Sequence, residues 1–132
     1  MLTILMSLIA CDFPPVVQSC NLMYAPNTLT LEVDADWTGV IQLDVSGDGE
    51  RISCTLGEDE SSTACDDLGS TIELSDDLLV VSLFDFTPDV VEVLIEDDSG
   101  SQSFTLEPSY ALDEPNGPGC GERRLGTESL TL

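Results

Sequence analysis

Histidine and lysine are both absent from this 132-residue chain, and its only cationic side chains are Arg51, Arg123 and Arg124. Without histidine the commonest general base and the imidazole metal ligands are gone; without lysine there is no Schiff-base chemistry. Three arginines cannot neutralise a run of phosphates, which excludes nucleic acid as a partner and makes anionic lipid headgroups repellent. Aromatic residues are scarce as well, with one Trp, two Tyr and four Phe. No nucleophile elbow, glycine-rich phosphate loop or metalloprotease signature occurs. Paired carboxylates are the only catalytic machinery left. With 26 acids in the chain, pairs at a suitable distance arise by chance, and the chain is expected not to be an enzyme.

What the chain does have is acid and apolar side chain together. Its 26 Asp and Glu residues give a formal charge of −23, yet 42% of its residues are hydrophobic. That apolar content is enough for a packed core, so the acidity does not imply disorder. The length suits one domain.

Residues Met1 to Ala10 carry no charge, and only Thr3 and Ser7 are polar. Ten residues are too few to span a bilayer, which takes roughly 20 in a helix, but they suit the apolar part of a secretory signal. The run stops at Cys11, and Asp12-Phe13-Pro14-Pro15 cannot continue a helix. Leu8-Ile9-Ala10-Cys11 resembles the lipobox of bacterial lipoproteins, although no Lys or Arg precedes it. The resemblance implies cleavage before Cys11, lipidation of Cys11, anchoring to a membrane through acyl chains, and residence in the bacterial cell envelope facing the periplasm or the exterior.

Setting Cys11 aside for lipid leaves Cys20, Cys54, Cys65 and Cys120. An even number in an exported chain implies two disulfides, with three possible pairings. Cys54–Cys65 with Cys20–Cys120 is the expected set. The first closes a short polar loop, and the second joins the start of the domain to its end, where chain termini often meet. Intervening stretches of 33, 10 and 54 residues, without a C-x-x-C pair, argue against zinc.

From residue 28 the hydropathy alternates with period two. Leu29, Leu31 and Val33 alternate with polar neighbours, as do Ile41, Leu43 and Val45; Ile52, Cys54 and Leu56; Ile72 and Leu74; Val91, Val93 and Ile95; and Phe104 and Leu106. Each run predicts a strand with one buried and one wet face. Leu78–Phe84 is almost continuously apolar and is expected as the central strand, covered on both faces or by the tether. Ser46-Gly47-Asp48-Gly49 and Asp97-Asp98-Ser99-Gly100 supply hairpin turns, with further breaks at Ser75-Asp76-Asp77 and Thr87-Pro88-Asp89. About seven strands and no helical periodicity predict an all-β fold, a single antiparallel immunoglobulin-like β-sandwich. A small closed barrel would show the same alternation.

Glu114-Pro115-Asn116-Gly117-Pro118-Gly119-Cys120-Gly121 shows no strand pattern. It is similar to the P-N-G-P-x-C ending of small bacterial lipoproteins that carry one Ig-like domain, a likeness that brings no biochemical function with it. The expected organisation is thus a signal peptide over 1–10, a lipidated cysteine and tether over 11–27, a β-sandwich over 28–112, and a Pro/Gly-rich clip with a loose tail over 113–132.

The acids also invite a calcium reading. Asp44 and Asp48 stand at first and fifth positions of an EF-hand-like start with Gly49 sixth, but Thr55 occupies the place of the bidentate Glu. A hairpin turn explains the same residues more simply. Asp34 with Asp36, or Asp97 with Asp98, are looser candidates for a weak calcium site at one end of the sandwich. Trp37 and Tyr24 are candidates for a protein- or carbohydrate-contact pair, against the simpler reading that they seal the edge of the core. Arg51 is expected on an exposed strand face among acids. The function expected is that of a membrane-anchored, non-catalytic interaction or envelope-structural module. The alternative is a calcium-dependent adhesive or ligand-binding domain.

Overall fold

A computed structural model of the chain describes residues 20, 23–58, 63–66 and 69–132. The expected signal peptide over 1–10, Cys11 and the expected tether up to Ser19 lie outside the described residues. The described residues contain ten strands and no helix: β1 Thr28–Asp34, β2 Ile41–Gly47, β3 Glu50–Leu56, β4 Ala64–Cys65, β5 Thr71–Ser75, β6 Leu78–Phe84, β7 Val91–Asp97, β8 Gly100–Leu106, β9 Tyr110–Asp113 and β10 Arg123–Thr131. They form two five-stranded sheets, ordered β5-β6-β1-β10-β9 and β4-β3-β2-β7-β8. The architecture is the expected β-sandwich rather than a closed barrel, since both sheets have edges.

The alternation acts as a sandwich requires. Leu29, Leu31 and Val33 of β1, Ile41, Leu43 and Val45 of β2, Leu79, Val81 and Leu83 of β6, and Val91, Val93 and Ile95 of β7 all turn into one core. The residues between them face outward, and no Asp or Glu is buried among the described residues. Apart from Glu128, the described acids on strands coat the two outer faces, and the others stand in turns and loops. The turn chemistry is equally local. Asp48 and Gly49 take φ of 51° and 79°, the left-handed pair that a two-residue primed hairpin between β2 and β3 demands.

Three expectations need correction. Leu78–Phe84 is not the central strand: β6 lies second from an edge, and β1 occupies the middle of its sheet. The outward members of that apolar run are only partly covered, with Leu78 exposed and Val80 and Phe84 half-buried. Their hydrophobicity is a property of the outer face and does not mark burial on both sides.

The loose tail expected at the end of the 113–132 stretch is the second correction. Arg123–Thr131 forms β10, inserted between β1 and β9, so the sandwich extends to Thr131. Its pairing with β1 is parallel, with Leu29 opposite Gly126 and Val33 opposite Leu130, so that sheet is mixed. Gly126 and Glu128 take core-facing places in that register, which erases the apolar alternation that would have announced a strand. The strand count rises from about seven to ten because β4, β9 and β10 carry no such alternation.

Gly126 has a packing reason. A Cβ there would lie 2.8 Å from the Tyr110 ring, so only glycine lets β9 lay that ring across β10. The Arg124 guanidinium sits 4.4 Å from the centre of the same ring. The phenol donates to the Pro88 carbonyl at 2.7 Å, and Arg124 reaches the Thr87 carbonyl and the Asp89 carboxylate, each at 3.3 Å. Burial pushes the Tyr110 phenol up to about 12. Polar links thus close this end of the sandwich, where apolar contacts close its middle.

The expected disulfide pairs are the ones formed. Cys54 and Cys65 face each other in register on β3 and β4. Cys20 and Cys120 join the segment before β1 to the turn-rich stretch between β9 and β10, with Cα atoms 5.6 Å apart. Beside that bond the Asn116 side chain accepts from the Met23 amide at 3.1 Å and donates to the Met23 carbonyl at 3.2 Å. The entry of the domain is therefore fastened to its last hairpin.

Candidate functional site

Two of the acids singled out for calcium, Asp44 and Asp97, are engaged in contacts of the fold. Asp44 on β2 pairs with Arg51 on β3 at 3.1 Å and accepts a short hydrogen bond from the Ser53 hydroxyl. Asp48 stands at the hairpin tip, and Thr55, the twelfth position of the EF-hand-like spacing, donates to the Gln42 side chain at 3.0 Å. The spacing belongs to a β-hairpin. Asp97 accepts from the Thr38 amide at 2.9 Å, and its other oxygen accepts from the Ser99 amide and hydroxyl. Those bonds, the Ser99 hydroxyl first, hold its carboxyl below the usual range. Among the described residues no three Cys, Asp or Glu side chains are gathered as a metal site.

Trp37 and Tyr24 do not form a pair. Trp37 follows β1, packs half-buried against the core, and donates its indole N–H to the Asp77 carbonyl at 2.9 Å. Tyr24 precedes β1, is 82% exposed, and donates to Asp85 at 3.2 Å. A seven-residue strand, about 24 Å long, separates the two ends. Arg51 stands on an exposed face among acids, as expected.

The surface best arranged for binding is one that motif reasoning passed over. Four strands form sheet edges. Three are short or charged: β4 has two residues, β5 carries Glu73, and β9 has four residues with Asp113. The fourth, β8, runs for seven residues as Gly-Ser-Gln-Ser-Phe-Thr-Leu without a charge. Antiparallel pairing with β7 uses one side of it, from Asp97 opposite Gly100 to Val91 opposite Leu106. The other side has no strand partner among the described residues.

Depressions flank this edge on both faces. A cleft of about 300 Å³ adjoins its first half, lined by Asp36, Trp37, Asp97, Gln102 and Leu132 among others. A groove of about 470 Å³ adjoins its second half, with Glu92, Leu94, Ser103 and Thr105 in its wall and Asp44 and Arg51 beyond. Ser101, Ser103 and Thr105 are exposed, while Phe104 and Leu106 turn partly into the core and fix the strand in place. The signal available in the sequence was the eight uncharged residues from Ser99 to Leu106 in so acidic a chain. That signal is weak alone, because edge position depends on which strands pair.

Comparison with known proteins finds no matching family model, no matching curated protein and no matching solved structure.

Proposed function

We propose that this chain is an exported, lipid-anchored protein of the bacterial cell envelope, acting as a non-catalytic interaction module. The observation that carries the reading is the pair of disulfides. All four cysteines left after Cys11 are bonded, as suits an oxidising compartment, and the Cys20–Cys120 bond fastens the domain where a tether from Cys11 would enter it. Leu8-Ile9-Ala10-Cys11 supplies the lipobox-like end of that tether.

The non-catalytic part rests on what three carboxylates with defined partners do. Asp44, Asp97 and Asp113 each spend their oxygens on fold contacts: Arg51 and Ser53, Thr38 and Ser99, and a bidentate clasp on Arg123 at 2.7 and 2.9 Å. The acid coat keeps a tethered β-domain soluble and discourages edge-to-edge association with its own kind.

Intact-mass analysis of protein extracted from membranes tests the anchor. It should show a chain beginning at acylated Cys11, and Cys11→Ser should abolish both the acylation and the processing. A Cys11→Ser protein that still fractionates with membranes at full length refutes the anchor. Free thiols at Cys20, Cys54, Cys65 or Cys120 in the native protein would refute export to an oxidising compartment.

A further inference from the structure

Natural sheets protect their edges with charge, proline, bulges or brevity, since an open row of backbone donors and acceptors templates another strand. In this molecule three edges follow that practice and β8 does not. Its seven residues are regular, uncharged and mostly exposed, in a chain with 26 acids to spare. The acids nearest to it stand around the edge and not on it. Glu92 lies in the groove on one side, Asp36 and Asp97 in the cleft on the other, and Glu107 follows the strand.

That distribution selects the occupant. A second copy adding antiparallel through its own β8, with Gly100 opposite Leu106, would bring Glu107 of each copy opposite Ser99 and diagonal to Asp98 of the other, between molecules of formal charge −23. Like charges placed opposite each other across a strand pair are destabilising. An acidic partner meets the same repulsion. A basic extended segment meets the reverse: its backbone completes the row on β8, while its alternate side chains project towards a cleft with Asp36 and Asp97 on one face and, on the other, a groove whose near wall carries Glu92 and whose far side holds Asp44 paired with Arg51. This is strand addition, in which main-chain bonds give affinity and alternating pockets give selectivity. Long-range attraction to the acid coat would also speed encounter.

We infer that β8 is a docking edge for a lysine- or arginine-bearing extended segment of a partner protein, which adds as a sixth strand to the β4-β3-β2-β7-β8 sheet. The inference rests on the interaction-module reading and names the edge and the chemistry that the module would use.

The test uses the full disulfide-bonded chain and a short synthetic peptide of lysine, valine and threonine. Two control peptides accompany it, one with alternate backbone amides N-methylated and one with glutamate in place of lysine. Amide hydrogen exchange should show protection on β8 when the lysine peptide is added and none on the β5 edge. N-methylation should weaken binding roughly tenfold or more, because it removes main-chain donors and keeps the charge. Ser101→Lys with Ser103→Lys should weaken it comparably. Both positions are exposed, so the fold should survive. Thr71→Lys with Ser75→Lys on β5 changes the net charge equally and should leave affinity within about twofold.

Equal binding of the methylated and unmethylated peptides, or equal weakening by the β5 pair, would show mere charge attraction and overturn the proposal. Absence of protection on β8 would overturn it too. The underlying reading fails separately. Crosslinking to an envelope protein that is indifferent to the β8 substitutions removes the edge assignment and leaves the module standing. An unprocessed chain with free thiols removes the module, whatever the peptide does.

Discussion

β1 and β10 lie side by side in one sheet, in parallel register, yet different physics holds each of them. β1 places Leu29, Leu31 and Val33 in the core with no side-chain exposure at all. The facing positions of β10 are Gly126, Glu128 and Leu130, so one apolar side chain answers three. Polar links make up the difference. Arg123 clasps Asp113, Arg124 covers Tyr110 and reaches the 87–89 loop, its amide donates to Asn27 at 2.8 Å, and Cys120 just upstream is bonded to Cys20. A strand built by burial announces itself as alternation; a strand built by specific partners does not.

The sharpest way to break the contrast is to cut the staple. Cys20→Ser with Cys120→Ser opens a loop of 100 residues, and the chain-entropy account assigns such a closure about 4.7 kcal/mol. Urea denaturation should record a loss of that order. The β9–β10 hairpin should become more susceptible to protease than β1 does. A loss shared evenly by both strands would make the contrast one of sequence alone.

Leu31→Ala attacks the other partner and should cost about 3 kcal/mol, the sum of lost transfer energy and a residual cavity. Glu128→Ala, opposite it in register, should cost far less, within about 0.5 kcal/mol. Equal costs for the two would mean that β10 too is held chiefly by burial. Gly126→Ala should cost about 2 kcal/mol, because the added methyl meets the Tyr110 ring and the ring cannot withdraw without leaving Pro88.

The stacked pair carries a smaller effect than these packing changes. Arg124→Ala should cost about 1 kcal/mol. It should also move the Tyr110 ionisation above its value of about 12, since the Arg124 charge pulls that value down while burial raises it. The sign is fixed by linkage: a phenol whose folded pKa lies above its unfolded value of 10 stabilises the fold fully below pH 10. That contribution fades as pH rises through 12. Ultraviolet titration of the native protein against Tyr110→Phe isolates the transition.

The same contrast explains what the sequence made legible. Alternation in Ile41–Val45 and Ile52–Leu56 with Asp48-Gly49 between them specified the β2–β3 hairpin, because period, turn and burial are all local there. Cys54 and Cys65 were legible for the same reason. Leu78–Phe84 misled, since a continuous apolar run cannot distinguish a doubly covered strand from one whose outer face is merely hydrophobic. β10 was hidden because Gly126 and Glu128 occupy its inward places. Their justification is the ring on β9 and the neighbour β1, whose facing residues lie 97 positions away in the chain. The partners of Asp44 were equally illegible, since a spacing of Asp44 and Asp48 cannot reveal that Arg51 and Ser53 will contact the first carboxylate. The open edge at β8 stayed hidden because an edge is a property of sheet order, which no single strand carries.

Native-state hydrogen exchange on the intact, oxidised protein tests the central claim most directly, by comparing the amides of Thr127–Leu130 with those of Leu29–Val33. If β10 completes the sandwich beside β1, the inward-bonded amides of both strands should exchange slowly, and those of β10 should lose protection first when Cys20–Cys120 is removed. Exchange of 127–130 at the rate of an unstructured peptide in the oxidised protein would contradict it and return the C-terminus to a loose tail.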